Sequence, residues 1–335
     1  MKCSTRDSGR RRRLSNMALL EVENLSVGYQ TRSGYLHAVE GVSFSLEAGK
    51  SLGFVGESGC GKTTLGMALM GLLPPNGFVR EGRIRFEGED LLQKTDEEMR
   101  KIRWRKIAMI FQAAMNALNP VHRVRDQIAE AILTHNPAID KAAAYDQIEE
   151  LFQLVGLPLD RMKDYPHQYS GGMKQRAIIA MALACRPKLI IADEPTTALD
   201  VIVQDQILQE TKKLQEKFGI SIIFISHDIS IVADVCHDIG IMYGGMLVEK
   251  GARDEVFDTP VHPYTQALLS SYPTLTGEKT RLTPIPGETP NLIHPPAGCR
   301  FCDRCPNARA ACKVGAGEWI AVSPRHKTLC HHCVS

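Results

Sequence analysis

The feature that most constrains the fold of this chain is the segment "GESGCGKTT" at residues 56–64. It satisfies the spacing G-x-x-x-x-G-K-[ST] through Gly56, Gly61, Lys62 and Thr63. The apolar run "SLGFV" precedes the segment, and the run "LGMALMGLL", which has helical character, follows it. This context predicts a strand, a tight loop and a helix whose backbone N–H groups cradle phosphates. Lys62 could then reach the β- and γ-phosphates, and the Thr63 hydroxyl could ligate Mg²⁺.

A second segment, "LIIADEP" at residues 189–195, predicts a buried strand that ends in two acidic residues. Asp193 would lie at the carboxyl edge of an open α/β sheet, where ligands of such sheets bind. A carboxylate there suits a water-mediated contact with Mg²⁺. Glu194 is the natural candidate for polarising an attacking water. An isolated "DE" pair is usually solvated, but the apolar run before it and the phosphate loop upstream favour a site.

A third segment, "YSGGMKQR" at residues 169–176, places Ser170, Gly171 and Gly172 at the start of a helix. Such a start is either a plain N-cap or another anion cradle. A second cradle in the same chain needs an explanation, because one nucleotide carries one triphosphate.

The order of these motifs resembles that of the nucleotide-binding subunits of ABC transporters, and it is similar to the dipeptide/oligopeptide importer group. The three segments match the Walker A loop, the Walker B strand with its glutamate, and the signature motif. The resemblance runs from about residue 19 to residue 330. The other matching positions are Gln112 in "MIFQ" (the Q-loop), Asp200 in "TTALD" (the D-loop), His227 in "ISHD" (the switch histidine) and Tyr29 in "SVGYQ", where the family stacks an aromatic ring on adenine.

The resemblance implies a site for ATP and Mg²⁺. In the family two subunits pack head to tail, and the signature of one closes over ATP held by the other, which would explain the second cradle. The implied catalytic residues are Glu194, His227 and Gln112, and the implied Mg²⁺ contacts are Thr63, Gln112 and Asp193. The implied nucleotide contacts are Tyr29, Gly56, Glu57, Ser58, Gly59, Cys60, Gly61, Lys62, Thr63, Thr64, Asp193, Ser170, Gly171, Gly172 and Asp200.

The function that the resemblance implies is ATP hydrolysis driving import of dipeptides or oligopeptides. The implied partners are a second, related ABC ATPase in a heterodimer, two integral membrane permease subunits and, indirectly, a periplasmic or extracellular solute-binding protein. The chain would then be a peripheral protein on the cytoplasmic face of the inner (plasma) membrane. The same resemblance covers importers of nickel and oligosaccharides.

Two further classes are weighed against this interpretation. A soluble ABC ATPase of translation or DNA maintenance is disfavoured by the single cassette, and a formal net charge of only +2 argues against a nucleic-acid partner. A non-catalytic regulatory cassette is disfavoured because Lys62, Asp193, Glu194 and His227 are all present.

Alternating strand and helix patterns predict an α/β fold. We expect a P-loop NTPase (ABC ATPase) core with a mostly parallel sheet, an antiparallel β flap, an inserted helical subdomain and a small C-terminal cysteine-rich extension. Residues 1–16 would be a disordered basic extension, and residues 17–272 the ATPase domain, with the helical subdomain at about 120–172. Residues 273–335 would be a linker and tail. No apolar run has the length needed to cross a bilayer, so any membrane role would depend on partner proteins.

Six of the ten cysteines lie in this tail, in a chain without a recognisable secretion signal, and this favours a metal centre over disulfides. Thiolate ligation at such spacings suits either an iron–sulfur cluster or Zn²⁺. We expect the Pro- and Gly-rich tail to lack apolar residues for a core of its own, so a metal would supply folding free energy. The resemblance favours a [4Fe–4S] cluster held by Cys299, Cys305, Cys312 and Cys330, with Cys302 and Cys333 outside the family pattern.

Overall fold

The computed structural model describes residues 18–112, 117–197, 199–271 and 284–330. The strands in these ranges are separated by helices or turns. They are β1 (Leu20–Thr31), β2 (Gly34–Leu46), β3 (Ser51–Val55), β4 (Gly77–Phe86), β5 (Glu89–Asp90), β6 (Ile107–Ile110), β7 (Leu189–Asp193), β8 (Ser221–Ser226), β9 (Asp238–Tyr243), β10 (Met246–Ala252), β11 (Trp319–Ala321) and β12 (Lys327–Leu329).

Eight strands form the main sheet, in the order β11-β12-β10-β9-β3-β8-β7-β6. Neighbouring strands from β9 to β6 are parallel, and β10, β12 and β11 extend the sheet in antiparallel fashion. Every residue of β3, β7 and β8 is buried, which is why these segments are almost continuously apolar in sequence. The expected parallel core is confirmed.

A second, antiparallel sheet has the order β2-β1-β4-β5 and forms the expected flap. Its long central strand β1 pairs with β2 on one side and with β4 on the other. The buried residues Val22, Leu25 and Val27 of β1 pack in the same apolar cluster as Phe54 of the main sheet. The flap is therefore fixed to the core at the strand that precedes the phosphate loop.

The helices pack around the main sheet. Their bounds are α1 (Lys62–Met70), α2 (Asp96–Ile102), α3 (Val124–His135), α4 (Lys141–Leu154), α5 (Gly171–Leu183), α6 (Val201–Phe218), α7 (Ile229–Val235), α8 (Arg253–Asp258) and α9 (Pro263–Ser270).

The sequence between β6 and β7 is helical, as expected. Ile128 of α3, with Ile148 and Phe152 of α4, are fully buried in a cluster that also contains Ala177 of α5. The three-to-four-residue apolar spacing of α3 and α4 thus reflects one shared core. Helix α5 begins at Gly171, so the segment "YSGG" lies where this helical region returns to the sheet.

Two of the expected domain boundaries fall outside the described ranges. The basic extension at residues 1–16 lies in the part of the chain that is not described, and so does the boundary near residue 272. The tail is described from residue 284 to residue 330.

The described part of the tail is joined to the main sheet. Strand β12 pairs with β10, with Thr328 opposite Glu249, and β11 pairs with β12. Phe301 is 1% exposed, and its ring packs edge-on against Tyr243 and Tyr264, with centroid distances of 5.1 and 5.3 Å. Apolar residues of the tail are therefore buried in the core of the ATPase domain, so the tail needs no core of its own.

A buried carboxylate joins the tail to the core sheet. Glu249 of β10 is fully buried and accepts hydrogen bonds from the backbone N–H groups of Val261 and His262, at 2.8 and 3.0 Å. Its Oε1 also lies 2.7 Å from Nε2 of His326 in the tail. Because a buried carboxylate without hydrogen bonds is costly, these three contacts stabilise Glu249 in the core.

Replacement of Glu249 tests the importance of this connection. Glu249→Ala leaves two backbone donors and a buried histidine without their acceptor. We expect a loss of about 3 kcal/mol in the free energy of unfolding, measured in urea. The control Lys327→Ala, at an exposed position of β12, should change it by less than about 0.5 kcal/mol. Equal stability of the two variants would contradict the assigned role of Glu249.

Candidate nucleotide and catalytic site

The strand order brings four loops to one edge of the main sheet. Strands β3, β8, β7 and β6 are parallel neighbours, and each ends level with the last or the next-to-last residue of its neighbour: Val55 pairs with Ser226, Asp193 with Ile225, and Ile110 with Ala192. The phosphate loop, His227, Glu194 and Gln112 therefore all follow the carboxyl ends of adjacent strands. This edge is where open α/β sheets bind their ligands.

The phosphate loop has a shape that only glycine permits at two positions. Gly61 precedes α1 with φ of 99°, and a Cβ atom there would lie 2.1 Å from the carbonyl oxygen of Ala38. A Cβ atom on Gly56 would lie 2.0 Å from the carbonyl oxygen of Met242. The motif glycines are thus required by the close approach of the loop to β2 and to the end of β9.

Lys62 is 6% exposed and lies across the loop. Its Nζ donates hydrogen bonds to the carbonyl oxygens of Gly56 and Glu57, at 2.6 and 3.0 Å. The ammonium group is therefore held inside the loop, where it can exchange these carbonyls for phosphate oxygens.

A cavity of about 690 Å³ opens in front of this loop, a volume in the range of ligand sites. It is bounded by the phosphate loop, by the flap and by residues at the ends of β6, β7 and β8. The sequence-predicted residues that line it are Tyr29, Glu57, Ser58, Gly59, Cys60, Gly61, Lys62, Thr63, Thr64, Gln112, Glu194 and His227.

Thr63 and Asp193 have the arrangement expected for a divalent cation. The Thr63 hydroxyl donates to Oδ1 of Asp193 at 3.2 Å. The other oxygen, Oδ2, is buried and has no hydrogen-bond partner within the described part of the chain. Burial raises the pKa of Asp193 to about 6, and the nearby Glu194 carboxylate adds to the rise. An unpartnered, buried carboxylate oxygen beside a hydroxyl fits Mg²⁺, which takes oxygen ligands and would neutralise phosphate charge when bound.

Glu194 and His227 form a pair at the mouth of the cavity. Oε1 of Glu194 lies 2.7 Å from Nδ1 of His227 and accepts the His227 backbone N–H at 2.9 Å. The Thr197 hydroxyl donates to Oε2 at 3.2 Å. Glu194 has a φ of 49°, a left-handed conformation that is uncommon outside glycine. Such strain is found at functional sites, where surrounding contacts hold the residue in place.

Tyr29 and Gln112 both line the cavity. Tyr29 of β1 lies close to the loop, and its hydroxyl is 3.0 Å from Oγ1 of Thr64. Gln112 follows β6 and is exposed. The flap and the last parallel strand therefore each contribute a side chain to the cavity.

The structure does not bring Ser170, Gly171, Gly172 or Asp200 to this cavity. Ser170 caps α5 by accepting the backbone N–H of Met173 at 3.3 Å, and Asp200 caps α6 by accepting that of Val203 at 3.0 Å. Both serve as local N-caps within the chain.

One wall of the cavity is formed by residues that no sequence motif indicates. Tyr243, Gly244, Thr289, Pro290 and Leu292 line it, and the last three come from the segment expected to be only a linker. A Pro- and Gly-rich composition gave no signal for this contact, because the contact joins parts of the chain that are far apart in sequence.

A phosphate loop that encloses Lys62, an Asp193 with a buried, unpartnered oxygen, and a Glu194 paired with His227 lie together on a parallel sheet and define a P-loop ATPase. Residues 39–197 match the family described as "ABC transporter", and residues 248–312 match "Oligopeptide/dipeptide transporter, C-terminal region". The chain belongs to the ATP-binding subunits of the ABC transporter family.

Individual relatives agree. The chain is 48% identical to the dipeptide transport ATP-binding protein DppD of Bacillus subtilis, over 93% of this chain and 94% of that protein. It is 49% identical to the oligopeptide transport ATP-binding protein OppD of the same organism, over 85% and 81%. A solved dimeric ATP-binding cassette in a post-hydrolysis state, bound to ADP and Pi, is similar with a TM-score of 0.63 and 26% identity, over 70% of this chain and 98% of that one.

The iron–sulfur prediction is contradicted. Across the described ranges, no group of three or more His, Cys, Asp or Glu residues is arranged to hold a metal ion, for a [4Fe–4S] cluster or for Zn²⁺. The relatives are named only as transport ATP-binding proteins. The tail is instead stabilised by docking on the core. The correction applies to the proposed ligands Cys299, Cys305, Cys312 and Cys330, while Cys333 lies outside the described residues.

Glu194→Gln tests the catalytic pair. The amide keeps the shape of the side chain but cannot act as a base, so we expect the rate of ATP hydrolysis to fall by about 10²-fold or more, with ATP affinity retained. Turnover is measured in the assembled transporter, and affinity with a fluorescent nucleotide. The control Glu97→Gln, at an exposed position of α2, should hydrolyse normally. Near-normal ATP hydrolysis by Glu194→Gln would show that Glu194 is not the base.

Thr63→Val tests the cation site separately. Valine keeps the volume of threonine and removes the hydroxyl, so the Mg²⁺ concentration for half-maximal hydrolysis should rise by about tenfold or more. Thr63→Ser keeps the hydroxyl and should behave as the unchanged protein. An equal Mg²⁺ requirement in both variants would contradict the assignment.

Proposed function

We propose that this chain is an ATP-hydrolysing subunit that energises the import of dipeptides or oligopeptides through a membrane ABC transporter. The observation that carries the proposal is the convergence of Lys62, Thr63, Asp193, Glu194 and His227 at one edge of the sheet. In this arrangement Lys62 and the loop N–H groups bind phosphates, Thr63 and Asp193 hold the cation, and Glu194 orients water.

Peptides are supported as cargo by the relatives. Their names refer to dipeptide and oligopeptide transport, and the C-terminal family match is to the oligopeptide/dipeptide group. The same comparisons do not favour a soluble ABC ATPase of translation or DNA maintenance. Nickel and oligosaccharides stay open as alternative cargoes that an uptake experiment distinguishes.

A second ATPase subunit is supported by the surface around Ser170 and Asp200. Neither residue lines the chain's own cavity, so their motifs are available to a nucleotide held by another subunit. Val201 and Ile202, directly after Asp200, are 80% and 72% exposed, an apolar surface suited to a subunit contact. We propose a heterodimer with a related cassette, docked on two permease subunits that receive cargo from a solute-binding protein.

The location follows from this assembly. Within the described part of the chain, no helix has both the length and the apolar character that a membrane span requires. We propose a peripheral subunit on the cytoplasmic face of the inner membrane, held there by the permeases.

The decisive experiment is uptake by the reconstituted complex. Proteoliposomes with the permeases, both ATPase subunits and the binding protein should accumulate a labelled dipeptide only with ATP on the side of the ATPases. The Glu194→Gln complex is the negative control. ATP-dependent uptake of nickel or an oligosaccharide, without peptide uptake, would assign a different cargo.

Ser170→Arg tests the shared site. A long cation at the start of α5 would obstruct a nucleotide held by the partner, so ATPase activity of the complex should fall by about tenfold or more. ATP affinity of the isolated chain should be unchanged. The matched control, Ser45→Arg on an exposed position of β2, should leave both unchanged. A fully active homodimer of this chain alone would contradict the heterodimer.

A further inference from the structure

A residue of the tail contacts the phosphate loop directly. Arg304 donates from its two terminal nitrogens to the two carboxylate oxygens of Glu57, at 2.7 and 3.0 Å. The Arg304 side chain is 5% exposed and that of Glu57 is 27% exposed. A paired, two-bond contact of this kind is strong and directional, because the planar guanidinium matches the carboxylate.

Arg304 is fixed by contacts that do not involve Glu57. Its Nε donates to the carbonyl oxygen of Pro286 at 2.7 Å, and a terminal nitrogen donates to the Tyr243 hydroxyl at 3.2 Å. The guanidinium also lies over the ring of Tyr243, 5.6 Å from its centroid. These contacts hold the Arg304 side chain in place independently of Glu57.

Glu57 is an acidic residue within the phosphate loop itself. It is the only acidic residue in "GESGCGKTT", and its carbonyl oxygen holds Lys62. Its backbone N–H donates to the hydroxyl of Tyr264 at 3.0 Å. An unpaired carboxylate at this position would repel the triphosphate, since like charges that are close and partly desolvated cost binding free energy.

We propose that Arg304 is a positioning residue for ATP binding, which neutralises Glu57 and holds its carboxylate away from the phosphate cradle. The C-terminal tail thereby becomes part of the nucleotide site within the same subunit. Thr289, Pro290 and Leu292, which line the cavity, come from the segment that precedes Arg304. The inference rests on the proposed ATP site at residues 56–64 but not on the identity of the cargo.

A double-mutant cycle tests the proposal with the full-length chain and a fluorescent ATP analogue. Arg304→Gln leaves Glu57 charged and unpaired, so the Kd should rise by about tenfold. Adding Glu57→Gln removes that charge, and the Kd of the double variant should return to within about threefold of the unchanged protein. A purely structural role for Arg304 would not be rescued in this way. The kcat at saturating ATP, in the assembled complex, should stay unchanged for Arg304→Gln.

The control is Arg325→Gln. Arg325 is another tail arginine that pairs with a core carboxylate, that of Asp238, but it is exposed and does not line the cavity. Its loss should leave the Kd unchanged. The proposal is overturned if the Kd of Arg304→Gln rises by less than about threefold. It is also overturned if the Kd of the double variant stays more than about threefold above that of the unchanged protein.

A second pair of variants leaves Arg304 in place, in case Arg304→Gln does not fold. Glu57→Asp keeps the charge but is too short for both bonds, so the Kd should rise by more than about threefold. Glu57→Gln removes the charge and should stay within that limit. Equal affinities in these two variants overturn the proposal. Failure of the unchanged chain to bind ATP would instead refute the proposed ATP site.

Discussion

The parallel register of four neighbouring strands is the constraint on which the rest of the structure depends. Because β3, β8, β7 and β6 run parallel and their carboxyl ends lie along one edge of the sheet, four loops that are distant in sequence meet there. Each strand end contributes a different part of the site: the phosphate cradle, the histidine, the two carboxylates and the glutamine. A shift of one residue in any strand would turn every side chain of that strand to the other face and would separate these groups. The hydrogen-bonded ladders between these buried strands hold the register.

The site depends on close approach as much as on charge. Gly56 and Gly61 bring the loop against backbone carbonyls of β2 and β9, and this contact sets the position of Lys62. The left-handed conformation of Glu194 is maintained by its bonds to His227 and Thr197. The backbone strain is therefore located at Glu194, whose carboxylate must keep one orientation to act on water. In enzymes such strain is commonly found at functional residues.

The sequence predicted the parallel core, the flap, the helical insertion and the residues of the cavity that belong to local motifs. These succeed because a strand followed by a glycine loop and a helix is encoded within a few neighbouring residues. The tail was misjudged because its partners are far away in sequence. Phe301 is buried against Tyr243 and Tyr264, and Thr328 pairs with Glu249, without any periodic pattern that reveals it. The closely spaced cysteines favoured a metal centre because the sequence does not show that the tail packs against the core of the ATPase domain. Ser170 and Asp200 match their motifs, but within this chain they cap helices away from the cavity.

The bond between Arg304 and Glu57 joins residues 247 positions apart, and the contact between Arg300 and Glu40 spans 260. Contacts of this length close very large loops, and the entropic cost of that closure must be offset by other contacts. The phosphate loop is among the first parts of the chain to emerge during synthesis, whereas the residues that complete its surroundings are among the last. A chain whose synthesis stops before the tail would fold much of its sheet and still carry an unfinished nucleotide site. Complete translation thus becomes a physical condition for the subunit to engage ATP with full affinity.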